Sequence, residues 1–231
     1  MCYNLGMRKE PLVTGEYYHI YNRGVDKRDI FGDTHDLERF KESMREFNHV
    51  DRIFSLQSIR KSDSGLVAII DESKNRSPLV AFVSFTVNPN HFHFVLKQLV
   101  DGGISEFMHR LSGGYTSYFN KKNNRTGSLF QGTFKSKHCD NDAYFRKIFA
   151  YTNENNLVHD IPESKQHLIF SSAHEYLSEK FDFVDKTEAQ RILAMFPDKN
   201  HFETHCKEII AIIRSERGKT PLDGVDEVPD H

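Results

Sequence analysis

Two histidines, His91 and His93, sit two residues apart in the run His91-Phe92-His93-Phe94-Val95-Leu96. The run reads as a β-strand, and side chains at i and i+2 of a strand share a face. The two imidazoles can therefore share one metal ion while Phe92 and Phe94 turn to the core. The spacing alone is a weak signal, because two histidines on the solvated face of an edge strand look the same. A working metal also needs a third ligand, with positions left open for substrate or water.

Tyr151 and Asn155 lie four apart in a stretch of helical pattern, hence on one face of it. An asparagine carbonyl oxygen suits a hard cation such as Mg²⁺ or Mn²⁺. A tyrosine one turn away can act as a covalent nucleophile. Its phenol has an unperturbed pKa of about 10 and would need a metal or nearby cations to activate it. By spacing alone, Tyr151 reads better as an aromatic at the edge of the core. Tyr115 and Tyr118 compete for the role but fall on an earlier helix.

These groups must be placed by the elements around them. Residues 16–23 are aromatic and β-prone and predict a first strand, ended by a turn at Gly24 and Asp26. Thr34 is a plausible N-cap for a helix over 34–48, with Leu37, Phe40, Met44 and Phe47 at helical spacing. Residues 52–59 and 66–70 predict a hairpin, and 79–87 the strongest strand. Asn88-Pro89-Asn90 then turns the chain into the histidine strand, His91–Lys97. Helices follow at 104–120 and 141–155, the latter capped by Asn141 or Asp142, with a basic loop and a short strand at 133–138 between them. Helices near 187–196 and 201–217 and a frayed tail from Gly218 complete the chain. The order predicts an α+β fold, an antiparallel sheet with helices mainly on one face. We place one domain over 10–160 and an acidic, mostly helical extension over 161–231.

At 231 residues and 38% hydrophobic, the chain can bury one sizeable core. No run approaches the roughly 18 apolar residues of a membrane span, and residues 1–10 lack the apolar centre of a secretory signal. Cys2, Cys139 and Cys206 form no CxxC pair, which favours a reduced cytoplasmic setting. The net charge is −2, but it is unevenly spread: +3 over 1–160 and −5 over 161–231. Residues 108–147 alone carry eight basic side chains against Asp140 and Asp142. Such a region suits a polyanion, though on charge alone a solvated helix and loop explains it as well. His201, His205 and Cys206 share a helical face but lack a second ligand pair, so a surface helix explains them better than zinc does.

Several linked motifs carry a resemblance. They are Tyr18-His19-Ile20-Tyr21-Asn22-Arg23-Gly24 with Asp29-Ile30-Phe31, Pro89-Asn90-His91-Phe92-His93, Tyr118-Phe119-Asn120-Lys121, Gly127-Ser128-Leu129-Phe130-Gln131-Gly132, and the Tyr-x-x-x-Asn of Tyr151 to Asn155. In order and spacing the chain resembles the REP-associated tyrosine transposases. These are relatives of the smallest bacterial insertion-sequence transposases and single-tyrosine members of the HUH nuclease superfamily. The likeness runs from about Gly15 to Asn156. Relatives commonly follow the asparagine with proline, where this chain has Asn156-Leu157-Val158.

The resemblance implies a ferredoxin-like HUH fold and a divalent metal, Mg²⁺ or Mn²⁺, on His91, His93 and Asn155, with Tyr151 as nucleophile. It implies a transposase that cleaves and rejoins single-stranded DNA through a 5′-phosphotyrosine. The partner would be a REP-like hairpin, in a bacterial cytoplasm and close to the nucleoid. Arg23, Lys27, Arg28, Lys121, Lys122, Arg125, Lys135 and Lys137 are then the expected phosphate contacts. Relatives include dimers that exchange the tyrosine helix, so a homodimer, and a tyrosine acting in cis or in trans, both stay open. A domesticated hairpin binder that no longer cleaves, and an unrelated metallohydrolase, are the competing readings. No general base is identified; His19 is a neighbour of the site more naturally read as structural.

Overall fold

The computed structural model describes residues 11–51, 76–159 and 161–217. Among the described residues five strands form one antiparallel sheet in the order β4-β1-β3-β2-β5. They are β1 (Tyr17–Arg23), β2 (Val80–Asn88), β3 (His91–Gln98), β4 (Lys135–His138) and β5 (Phe170–Ser171). The helices are α1 (Thr34–Glu46), α2 (Gly103–Lys122), α3 (Asp142–Asn153), α4 (Ala173–Ser178), α5 (Lys186–Leu193) and α6 (Lys199–Arg217). The fold is α+β, as the pattern predicts. The hairpin expected at 52–59 and 66–70 lies outside the described residues.

β2 and β3 are the central strands, and nearly every side chain on them is buried. Both faces of the sheet are therefore covered, which is why β2 reads as a continuous apolar run rather than an alternation. On one face Phe92 meets Phe40 of α1 at 5.7 Å between ring centroids, and Phe82 meets Phe107 of α2 at 5.5 Å. Helices are expected mainly on one face, but they cover both. The opposite face carries His91 and His93, and α3 lies across it.

The α1 cap is Asp33 rather than Thr34. Its carboxylate accepts the Asp36 N–H at 2.9 Å, an anion against the positive end of the helix. The α3 cap is Asn141, which accepts the Tyr144 N–H at 2.8 Å.

Residues 161–217 share the core with what precedes them. β5 extends the sheet beside β2, at Thr86↔Ser171 and Val87↔Phe170. Glu175, 6% exposed, accepts the backbone N–H groups of Asp182, Phe183 and Val184, and Val184 bridges to Phe82. Phe202 of α6 packs on Phe149 of α3 and Tyr176 of α4. A two-residue strand and a six-residue helix are too short to show a period, so β5 and α4 leave no trace in the pattern. Among the described residues no helix is long and apolar enough to cross a membrane.

Candidate metal and tyrosine site

The site begins with the turn that aims β3. The carbonyl of Pro89 accepts the N–H groups of Ile30 and Phe31 at 2.7 and 3.2 Å, and Asn90 O accepts the Gly24 N–H at 2.9 Å. Two motifs far apart in the chain thus fix one turn. Gly24 is required at its position, because a Cβ there would fall 2.3 Å from Arg28 O. The Leu129 carbonyl accepts the Val25 N–H, and Arg23 O accepts the Gln131 N–H, so the glycine-rich motif is sewn along the end of β1 before β4 begins.

From this turn His91 and His93 face α3. Asn90 Oδ1 lies 2.6 Å from His91 Nδ1 and accepts its proton, which leaves a lone pair on Nε2. Asn155 Oδ1 lies 3.1 Å from that Nε2. The two rings stand nearly perpendicular, at 84° with centroids 5.3 Å apart. A His93 that offers Nε2 to a cation carries its proton on Nδ1, and His19 Nε2 lies 2.9 Å from Nδ1 to accept it. Burial, helped by the nearby Lys137 charge, pushes the His19 pKa down to about 3, so His19 is neutral and able to accept. Both histidines thereby have the oriented second nitrogen typical of metal-binding imidazoles.

The donor set fits a hard divalent ion. Neighbouring ligands in an octahedron with bonds near 2.1 Å lie about 3.0 Å apart, and the Asn155–His91 separation matches that. All three expected donors are neutral, so a bound cation would keep its full charge toward a phosphate.

The Tyr151 ring lies 5.2 Å from the His93 ring at 79°, and 6.2 Å from the His19 ring at 90°. The side chain is fully buried. The geometry corrects one expectation: α3 ends at Asn153, and Asn155 opens the 3-10 turn Asn155–Leu157. Glu154 leaves helical geometry at φ −126° and ψ 29° because the end of the helix is tied to its neighbours. Thr86 Oγ1 donates to Thr152 O at 2.6 Å, and Ser172 Oγ donates to Asn153 Oδ1 at 2.6 Å. Tyr151 therefore sits against His93 while Asn155, on a separate turn, reaches His91.

The expected phosphate contacts divide into three groups. Lys135 pairs across the sheet with Tyr21, and Tyr21 with His93; Lys137 pairs with His19 in the next row, and Arg23 with His91. Directly paired residues share a face, so Lys135, Lys137 and Arg23 lie on the face of the histidines. Lys27 and Arg28 lie in the turn after β1, Arg28 bonded to Val25 O and Asp26. Lys121 is exposed, but Lys122 is held by Asp33 and Asp36 at 2.7 and 2.6 Å, and Arg125 by Asn120 and Ser128.

Asp33, His35 and Asp36 bring ligand atoms within 4.8 Å of one another. The Lys122 ammonium already bridges the two carboxylates, and Asp36 also accepts from Tyr118 and the Gly32 N–H. The cluster is explained as the polar cap of α1. Tyr115 donates to Ile30 O and Tyr118 to Asp36, both on the α1–α2 side of the sheet, which suits packing residues. Burial raises the Tyr115 pKa, and burial with the Asp36 bond pushes Tyr118 up to about 12. Cys206 is buried, its thiol pushed up to about 12 by that burial, while His201 bonds to Asp198.

Sequence reasoning missed Asn88. It reads there only as the first residue of a turn, yet its amide nitrogen lies 2.6 Å from Asn155 Oδ1 and 3.0 Å from His91 Nε2. No spacing rule would have flagged a residue that acts from the adjoining strand.

A strand-borne histidine pair facing a helix-borne tyrosine defines the site, and a family model matches the part of the chain that carries it. Residues 58–155 match the family model described as "Transposase IS200 like", a stretch that holds His91 and His93 and closes on Asn155. The matched stretch takes in the Pro89–His93 motif, the glycine-rich motif at 127–132 and the Tyr151 to Asn155 pattern. No curated protein matches the chain. Among solved structures, the chain is similar to a REP-associated tyrosine transposase bound to a REP hairpin, at 12% identity and a TM-score of 0.45, over 78% of this chain and 94% of that one. It is also similar to the tRNA(His) guanylyltransferase of Saccharomyces cerevisiae, at 12% identity and a TM-score of 0.29, over 96% and 86%.

Proposed function

We propose that the chain is a metal-dependent transposase that cleaves and rejoins single-stranded DNA through Tyr151. The carrying observation is the convergence of four buried side chains from three separate segments: His91 and His93 from β3, Tyr151 from α3 and Asn155 from the turn beyond it. Tyr151 stands beside His93 of its own chain, which supports action in cis.

A divalent cation, Mg²⁺ or Mn²⁺, on His91, His93 and Asn155 would act as a Lewis acid toward the scissile phosphate. Tyr151 Oη loses its proton and attacks phosphorus; the Oη–P bond forms as the P–O3′ bond breaks. The products are a 5′-phosphotyrosine and a free 3′-OH. A later DNA 3′-OH reverses the exchange and releases Tyr151. One phosphodiester is traded for another, so no nucleotide cofactor is consumed. Lys135, Lys137 and Arg23 hold the strand on the histidine face through its phosphates. The hairpin form of the substrate, and action in the bacterial cytoplasm near the nucleoid, follow from the resemblance of the motifs.

Incubation with single-stranded REP-like hairpin oligonucleotides and Mn²⁺ tests the proposal. A covalent adduct resistant to denaturing gel conditions is expected, absent from Tyr151→Phe and from metal-free samples. An adduct that persists in Tyr151→Phe would exclude this tyrosine. Salt-sensitive binding without any adduct would instead favour the non-cleaving hairpin binder.

A further inference from the structure

Asn88 is the last residue of β2, and its side chain is wholly buried. Its amide nitrogen stands 2.6 Å from Asn155 Oδ1 and 3.0 Å from His91 Nε2, while those two atoms are 3.1 Å from each other. The lone pairs of two expected metal ligands are thus drawn together by one N–H₂ group. A cation would draw them together in the same way. The other end of the same amide, Oδ1, is buried without a hydrogen-bond partner.

These observations rest on the metal reading above and extend it to a further residue. We propose that Asn88 is a fourth protein ligand of the divalent ion, its amide turning about Cβ–Cγ so that Oδ1 replaces Nδ2 at the centre. The two ends of an amide have nearly equal size, so the turn needs no repacking. It removes the N–H₂ group that would repel a cation and brings in the oxygen that now lacks a partner. Amide oxygens are ordinary ligands for hard divalent ions. In the metal-free protein the N–H₂ group keeps His91 Nε2 and Asn155 Oδ1 from repelling each other, and so holds the site in shape before metal arrives.

A simple positioning role makes the opposite forecast for one substitution, and that decides the test. Mn²⁺ is titrated into the full chain, without DNA, and free Mn²⁺ is followed by its electron paramagnetic resonance signal. Asn88→Leu should weaken Mn²⁺ binding at least 10-fold. Asn88→Asp, which keeps an oxygen ligand and adds charge but cannot donate to Asn155, should bind at least as tightly as wild type. Weakened binding in Asn88→Asp, or unchanged binding in Asn88→Leu, overturns the proposal. If Asn88→Leu does not fold, as read by its thermal transition, Asn88→Asp decides alone, with tighter binding in support and equal or weaker binding against. His91→Ala is measured alongside. If it binds Mn²⁺ as well as wild type, the metal reading itself fails and Asn88 falls with it. If it loses binding while Asn88 variants do not behave as stated, only the Asn88 proposal falls.

Discussion

Thr86 Oγ1 donates to the carbonyl of Thr152 at 2.6 Å, so the strand beside the histidines also holds the last turn of the tyrosine helix. Thr86 pairs directly with His93 across the sheet. One hydroxyl therefore ties the helix of Tyr151 to β2 at the residue that pairs with His93.

Replacing that hydroxyl by a methyl should loosen the join without opening a cavity. Thr86→Val leaves a buried carbonyl without its donor and should cost about 1–3 kcal/mol of stability. Thermal unfolding measures the cost. Adduct formation should fall further than stability alone explains, because Tyr151 loses its reference to His93.

His19 should act on the metal through His93. His19→Phe keeps a ring of similar shape beside Tyr21 and Tyr151 but removes the acceptor for His93 Nδ1–H. Mn²⁺ affinity should drop roughly 10- to 100-fold, the range usual for loss of an outer-shell partner. Equal affinity in a folded His19→Phe would show that His93 needs no such partner.

Lys135 and Lys137 lie in the same cross-strand rows as His93 and His19. Each lysine that meets a phosphate should contribute about 0.7 to the slope of log affinity against log salt for a single strand. Lys135→Ala and Lys137→Ala should each flatten the slope by about that amount and leave the point of cleavage unchanged. Binding at several salt concentrations reads the slope. Lys122, tied to Asp33 and Asp36, should leave it unaltered but lower thermal stability.

Gly24→Ala tests the pinning of the turn. The added Cβ would meet Arg28 O at 2.3 Å, a backbone atom that cannot step aside alone. Strain of this kind costs typically 1–3 kcal/mol. The unfolding temperature should fall, and hydrogen exchange should quicken at the Gly24 N–H that Asn90 O accepts.

The elements that carry the site are legible in the residues themselves. β3 shows itself by His-x-His between apolar residues, and α3 by an Asn cap followed by Tyr144, Ile148 and Tyr151. The order of the motifs supplies the rest, because Gly24, Ile30 and Phe31 are needed to hold the Pro89 turn. What stays hidden depends on contacts between distant segments. Asn155 reads as helical because nothing local says that Thr86 and Ser172 tie off the helix before it. Asn88 looks like an ordinary turn residue until β2 and the 155–157 turn are brought together. Lys122 looks like an available cation until α1 sets Asp33 and Asp36 beside it. Glu175 looks like a surface acid until the three N–H groups from 182–184 fold over it.

The complete enclosure of Tyr151 sets a condition on the proposed reaction. For a phosphate of a DNA strand to reach its Oη, α3 would have to part from the sheet, against the Thr86 tether and the packing of α6. Under the proposed function, a strand that bound too weakly to drive that opening would never meet the tyrosine, as in induced-fit discrimination. Selectivity would then lie partly in the effort of opening.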